Sequence, residues 1–155
     1  MMKLCYDVLK ALSGKTLVTA ESCTGGGIGA ALTSVPGSSE VYKGGIISYS
    51  NEIKHEVLGV DIGLLETCGA VSEPVAKAMA EGVRKLLCAD ISISVTGLAG
   101  PAGDEFGHPV GAVYIGFSSE KETVVREYRF DGNRESVRIK AVDASLRLIL
   151  ERINH

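Results

Sequence analysis

The sequence has no run of lysine or arginine, and its 16 basic residues are outnumbered by 19 acidic ones, for a formal net charge of −3. Proteins that neutralise nucleic-acid phosphates need a basic patch, so nucleic acid is not an expected partner. No apolar stretch approaches the ~18 residues of a membrane span, and the segment Met1 to Asp7 lacks the apolar centre of a signal peptide. No membrane association and a cytoplasmic location are the expectation. The four cysteines, Cys5, Cys23, Cys68 and Cys88, form no Cys-x-x-Cys pair. Neither a zinc site nor a disulfide framework is suggested, and reduced thiols are expected.

What is present is the composition of a folded globule, with 45% hydrophobic and 23% charged residues. A chain of 155 residues is expected to form one domain, 1–155, burying about 68–70% of the surface its unfolded form exposes. Glycine is abundant, 19 residues against a usual share of ~7%, which signals tight turns or close approach of backbone to a ligand.

Leu4, Val8, Leu9 and Leu12 repeat at helical spacing and Gly14 supplies a stop. Thr16 to Ala20 reads as a buried strand running into Glu21-Ser22-Cys23-Thr24-Gly25-Gly26-Gly27, after which Ile28 to Leu32 opens a helix. Pro36 to Ser39 is turn chemistry. Val41 to Tyr49 reads as a strand with a bulge at Gly44-Gly45. Asn51 is placed as the N-cap of a short helix carrying Ile53, Lys54, Val57 and Leu58. Ser72 is placed as the N-cap of a helix whose apolar face is Val75, Met79, Val83 and Leu86, with Pro74 in its first turn. Ile91 to Thr96 alternates as a strand and leads into the loop Gly97 to Gly107, in which Asp104 and Glu105 are expected to face solvent. Strands near Val110 to Phe117 and Thr123 to Phe130 follow, then a helix from about Asn133 with Val137, Ala141, Ala144 and Leu148 inward. Helices interleaved with strands predict a single three-layer α/β/α domain with a mixed, mostly parallel sheet. In such sheets ligands bind at the carboxyl ends of strands, so the loops at 21–27, 49–54 and 96–107 are expected on one rim.

A strand, Ser22, then Thr24 and three glycines opening a helix is a layout that projects a hydroxyl from a sharp turn beside free backbone N–H groups. Ser22 is a candidate nucleophile there, and N–H groups around Thr24, Gly25 and Gly26 are candidates to hold an oxyanion or a phosphate. The alternative is that Ser22 or Thr24 caps the helix while the glycines permit close packing. The segment is not a Walker loop, a G-x-S-x-G elbow or a G-x-G-x-x-G fingerprint. The histidines are His55, His108 and the terminal His155, and Lys54 is the better candidate base if partial burial lowers its pKa. Its alternative is a solvated surface lysine. Cys23 is the rival nucleophile, or a small buried residue. Tyr49 and Asn51 read as strand-end packing and helix cap, or as orienting groups. Thr96 and Gly97 read as a plain turn, or as a hydroxyl and backbone facing substrate. Arg134 and Arg138, one helical turn apart, read as an anion clamp or as surface ion pairs.

Together these segments resemble the C-terminal domain of CinA proteins, whose stand-alone members are nicotinamide mononucleotide (NMN) deamidases. The matching blocks are Thr19-Ala20-Glu21-Ser22-Cys23-Thr24-Gly25-Gly26, Tyr49-Ser50-Asn51 with Lys54, Gly69-Ala70-Val71-Ser72-Glu73-Pro74-Val75, Thr96-Gly97-Leu98-Ala99-Gly100-Pro101, Pro109-Val110-Gly111, and Asp131-Gly132-Asn133-Arg134 with Arg138. The larger members carry a further N-terminal domain, which is not expected within these 155 residues. The resemblance implies hydrolysis of the NMN carboxamide to nicotinate mononucleotide and ammonia, in pyridine nucleotide salvage, without metal or cofactor. On matching positions Ser22 attacks, Lys54 takes its proton, and Tyr49, Thr96 and Arg134 or Arg138 orient the pair or hold the nucleotide. A homo-oligomer is also expected. The rival reading is a non-catalytic nucleotide-binding or regulatory module. One stretch, Ala102-Gly103-Asp104-Glu105-Phe106-Gly107-His108, departs from the family's glycine-rich segment ending in a basic residue.

Overall fold

The computed structural model describes Met1 to Asn154; His155 lies outside the described residues. The chain forms α1 (Met2–Ala11), β1 (Leu17–Glu21), α2 (Gly27–Thr33), a 3-10 turn (Ser38–Glu40), β2 (Tyr42–Ile47), α3 (Asn51–Glu56), α4 (Ile62–Thr67), α5 (Glu73–Leu86), β3 (Ile91–Gly97), β4 (Ala112–Ser119), β5 (Thr123–Arg129) and α6 (Arg134–Ile153). The five strands make one sheet in the order β2-β1-β3-β4-β5. β1 pairs in parallel with both β2 and β3, whereas β3–β4 and β4–β5 are antiparallel. Only β4 therefore runs against the other strands, and the sheet is the mixed, mostly parallel one expected.

Alternation along the strands sends side chains to two separate apolar layers. Leu17, Ile91, Ile93, Val95, Val113 and Ile115 meet α1, α2 and α6 on one face. Val18 and Ala20 meet α5 and the α3–α4 region on the other. The second face carries small polar residues where α5 comes close. Ser92 and Ser94 donate to the carbonyls of Ala80 and Ala76 at 2.6 and 2.7 Å, so both buried hydroxyls are satisfied.

Several local expectations shift. The N-cap of α3 is Ser50, not Asn51: the Ser50 hydroxyl accepts from the Ile53 N–H at 3.2 Å, and Asn51 is the first helical residue. Ser72 is the N-cap residue of α5, as expected, but its hydroxyl donates to the Gly69 carbonyl at 2.8 Å and makes no bond to a helix N–H. Leu86, expected on the buried face, is 48% exposed at the end of α5. The bulge lies at Lys43, where the β1–β2 register skips one residue between Tyr42 and Gly44. Helix α4, capped by Asp61, was not expected.

Candidate active site

The parallel register places three chain segments together. Glu21 at the end of β1 pairs with Ile47 on β2 and Val95 on β3, so the three carboxyl ends are level. Pairing continues one step further through Ser48 N–H to the Glu21 carbonyl, 2.8 Å, and Ser22 N–H to the Val95 carbonyl, 3.0 Å. Ser22, Tyr49 and Thr96 thereby emerge on one rim, as the topology of such sheets leads one to expect.

The turn after β1 is organised by a residue that the sequence reading did not single out. The Glu21 carboxylate is buried. Its Oε1 accepts from Thr24 Oγ1 at 2.7 Å and the Ile28 N–H at 2.8 Å, and its Oε2 from the Gly29 N–H at 3.0 Å and Thr19 Oγ1 at 3.2 Å. Glu21 thus satisfies the N-terminal donors of α2. The Ile28 and Gly29 N–H groups are accordingly taken, and of the N–H groups expected to be free around Thr24, Gly25 and Gly26, that of Gly25 is bonded to the Ser22 carbonyl at 3.1 Å. Neither Ser22 nor Thr24 is the N-cap; Gly26 is, at φ +103°, with Gly25 before it at φ +59°. Among the described residues, the N–H groups of Cys23 and Thr24 make no hydrogen bond to another residue. From the other side Arg138 on α6 donates through Nε to the Cys23 carbonyl at 3.0 Å and through Nη2 to the Thr24 carbonyl at 3.2 Å.

Lys54, 32 residues beyond Ser22 in sequence, is only 1% exposed. Its Nζ lies 2.8 Å from the Ser48 carbonyl, 3.1 Å from the Tyr49 carbonyl and 3.0 Å from Ser22 Oγ. Burial lowers its pKa to about 8, opposed only by Cys23. A neutral amine has two N–H bonds and one lone pair. As the ammonium, Lys54 donates to Ser22 Oγ as well as to the two carbonyls; once neutral, its two N–H bonds serve the carbonyls and its lone pair is left for the Ser22 hydroxyl. Cys23, also buried, has its thiol pushed up to about 11, chiefly by desolvation. It is protonated near neutrality and a poor nucleophile.

Ser22 and Lys54 open into a cleft of about 740 Å³ that is also lined by Tyr49, Asn51, Thr96, Gly97, Phe106 and Arg134. Thr24, Gly25, Gly26 and Arg138 do not line it; of the two arginines, only Arg134 reaches the cleft. Arg134 donates to the Gly100 carbonyl at 2.7 Å and to the Tyr49 hydroxyl at 3.3 Å, bridging two walls. The Thr96 hydroxyl donates to the Ala70 carbonyl at 2.9 Å and keeps its lone pairs. Gly97 is required by packing, since a Cβ there would come 2.6 Å from a Val113 methyl. Asp104 does not simply face solvent. Its carboxylate accepts from the backbone N–H groups of Phe106 and His108 and lies 2.8 Å from His108 Nδ1. Among the described residues no cluster of three His, Cys, Asp or Glu side chains is placed to hold a metal ion, and no helix is long and apolar enough to cross a membrane.

The residues missed by the sequence reading share a cause. A glutamate is expected in water, so Glu21 gave no sign of burial beyond its place at the end of an apolar strand. The carbonyls of Ser48 and Tyr49 carry no side-chain signal at all.

Known proteins provide an independent comparison. A family model for the CinA C-terminal domain matches residues 2–153. A CinA-like protein of Acidobacterium capsulatum is 46% identical over 142 residues, covering 92% of this chain and 34% of its own length. Another from Parasynechococcus marenigrum is 53% identical over 122 residues, covering 79% of this chain and 29% of its own. The chain therefore spans about a third of the length of these curated relatives. Among solved structures, competence damage-inducible protein A from Klebsiella pneumoniae superposes with a TM-score of 0.97 at 38% identity, over 99% of this chain and 97% of that one. The competence/damage inducible protein of Agrobacterium tumefaciens gives 0.94 at 35%, over 99% and 95%. The ordered motif blocks, the level strand ends and the match from residue 2 to residue 153 agree: this chain belongs to the CinA C-terminal domain family.

Proposed function

We propose that the chain is a Ser/Lys amidohydrolase that removes ammonia from the carboxamide of NMN, leaving nicotinate mononucleotide, a step in pyridine nucleotide salvage. The observation that carries this reading is the buried Lys54 Nζ, held on two carbonyls and 3.0 Å from Ser22 Oγ. That arrangement supplies a base within reach of a nucleophile, a recognised variant of triad chemistry.

The neutral Lys54 amine takes the Ser22 proton as Oγ attacks the amide carbon. The Cys23 N–H, which makes no hydrogen bond to another residue and belongs to a residue that lines the cleft, is the donor left to receive the developing oxyanion. The Lys54 ammonium then protonates the departing nitrogen, and ammonia leaves an acyl ester on Ser22. Water, deprotonated by the same amine, attacks the ester and frees the carboxylate; Ser22 regains its proton. Arg134, at the cleft wall, is the group suited to the substrate phosphate. Arg138 positions the nucleophile turn without entering the cleft.

The test is ammonia release by the purified protein from NMN, run beside nicotinamide, nicotinamide riboside and NAD without added metal. Release from NMN that is lost in Ser22→Ala and in Lys54→Ala is the expected result. Turnover unchanged in either folded variant overturns the assigned roles, and calorimetric binding of NMN with no product formed points to a binding module instead.

A further inference from the structure

The loop in which this chain departs from the family's pattern carries an aromatic ring that the amide chemistry above does not use. Phe106 is 39% exposed, but its position is fixed. The Asp104 carboxylate accepts from the Phe106 N–H at 3.1 Å and the His108 N–H at 2.9 Å, which ties the loop into a closed turn. One side of the ring rests on Gly69, where a Cβ would come 2.6 to 3.1 Å from three ring carbons. The rest of the ring borders both the cleft of Ser22 and Lys54 and an adjoining hollow of about 440 Å³. Glu105 borders the same two spaces, whereas Arg134 belongs to the cleft alone. The loop thus offers an aromatic ring and a carboxylate, and α6 offers a guanidinium to the same cleft.

That division suits a ligand carrying both a cationic ring and a phosphate. We infer that Phe106 forms a pyridinium subsite, on which the positively charged aromatic ring of the substrate packs, with Glu105 beside it in the loop and Arg134 left for the phosphate. The inference rests on the amidase reading and adds to it what recognises the ring. Attraction of a cation to an aromatic face accounts for selection by charge as well as by shape, because the ring of NMN is a cation while free nicotinamide is neutral.

The experiment compares Phe106→Leu, which keeps apolar bulk without a π face, with Phe106→Tyr, which keeps the ring. Ammonia release gives KM and kcat for NMN. Titration followed by NMR with 1-methylnicotinamide, a cation, and with nicotinamide, its neutral counterpart, reads ring recognition without turnover. In Phe106→Leu the KM is expected to rise between about twofold and thirtyfold, with kcat held within about twofold and the preference for the cation lost. Phe106→Tyr is expected to restore both. An unchanged KM and an unchanged cation preference in Phe106→Leu, or no such preference in the unaltered protein, overturns the subsite. Absence of ammonia release from NMN by the unaltered protein, with a cation preference that Phe106→Leu removes, sinks the amidase reading and leaves the subsite standing.

Discussion

At the scale of single residues, the site is governed by the burial of one amine. Lys54 has a lowered pKa, about 8 against an ordinary 10.5, so the folded state binds its proton more weakly than the unfolded chain does. Between those values the unfolded state holds more protons, and stability rises with pH across that window. Below pH 8 the full cost of burying the amine is present, roughly 3 kcal/mol for a shift of this size. Lys54→Met is therefore expected to match or exceed the parent in urea-unfolding free energy at pH 7. The difference should move in the parent's favour by up to about 3 kcal/mol as pH climbs from 8 to 10.5. A pH-independent difference between the two proteins would contradict the assignment. On the proposed mechanism the same titration sets the rate. With Lys54 as base, kcat/KM for NMN should climb about tenfold per pH unit below 8 and level off above it, and a flat profile from pH 6 to 9 would rule the amine out as base. Cys23, its thiol raised to about 11, is expected to be dispensable. Cys23→Ala should keep ammonia release within severalfold of the parent, and loss of activity there would return the thiol to contention.

At the scale of elements, the decisive piece is the junction of β1 and α2. Four donors converge on the buried Glu21 carboxylate, so its removal leaves two helix N–H groups and two hydroxyls without their acceptor. Glu21→Ala is expected to cost roughly 3 kcal/mol or more in chemical denaturation. It should also lower activity, because the same turn presents Ser22; a loss below 1 kcal/mol would show that water replaces the carboxylate at little cost. The β1–β2 pairing is similarly tight. A Cβ at Gly45 would run into the Thr19 side chain and come 2.6 Å from its carbonyl. Gly45→Ala is thus expected to push β2 away from β1 and, with it, Lys54 away from Ser22.

At the scale of the whole molecule, two apolar layers clamp the sheet, and the active rim is tied to the far end of the chain by Arg138. Its guanidinium on α6 reaches the carbonyls of Cys23 and Thr24, more than a hundred residues away in sequence. Hydrogen bonds from a charged donor are worth about 1.5–3 kcal/mol each. Arg138→Met is accordingly expected to lower kcat about ten- to hundredfold and to lower the Tm as well, by about 5–10 °C. A large fall in Tm with full activity at low temperature would instead assign it to stability alone.

Much of this molecule follows from local sequence. The apolar spacing of α1, α5 and α6, the β-branched strands and the turn residues at Gly14 and Pro36 each identify their element, because periodicity and backbone preference act over a few residues. Boundaries move where two good caps stand side by side, as with Ser50 and Asn51, and the short helix α4 was not read at all. Ser22 and Lys54 were legible as candidates by residue type and position after a strand. Their meeting was not, because it depends on the level ends of β1, β2 and β3 and on a lysine curling back onto the carbonyls of Ser48 and Tyr49. Nor could local sequence show that Glu21 would be buried, that Thr24 would serve Glu21 instead of a ligand, or that Arg134 and not Arg138 would reach the cleft. The local pattern determined which elements form and which residues carry chemistry. Strand register and burial decided which of those residues share a site, since both depend on contacts between segments far apart along the chain.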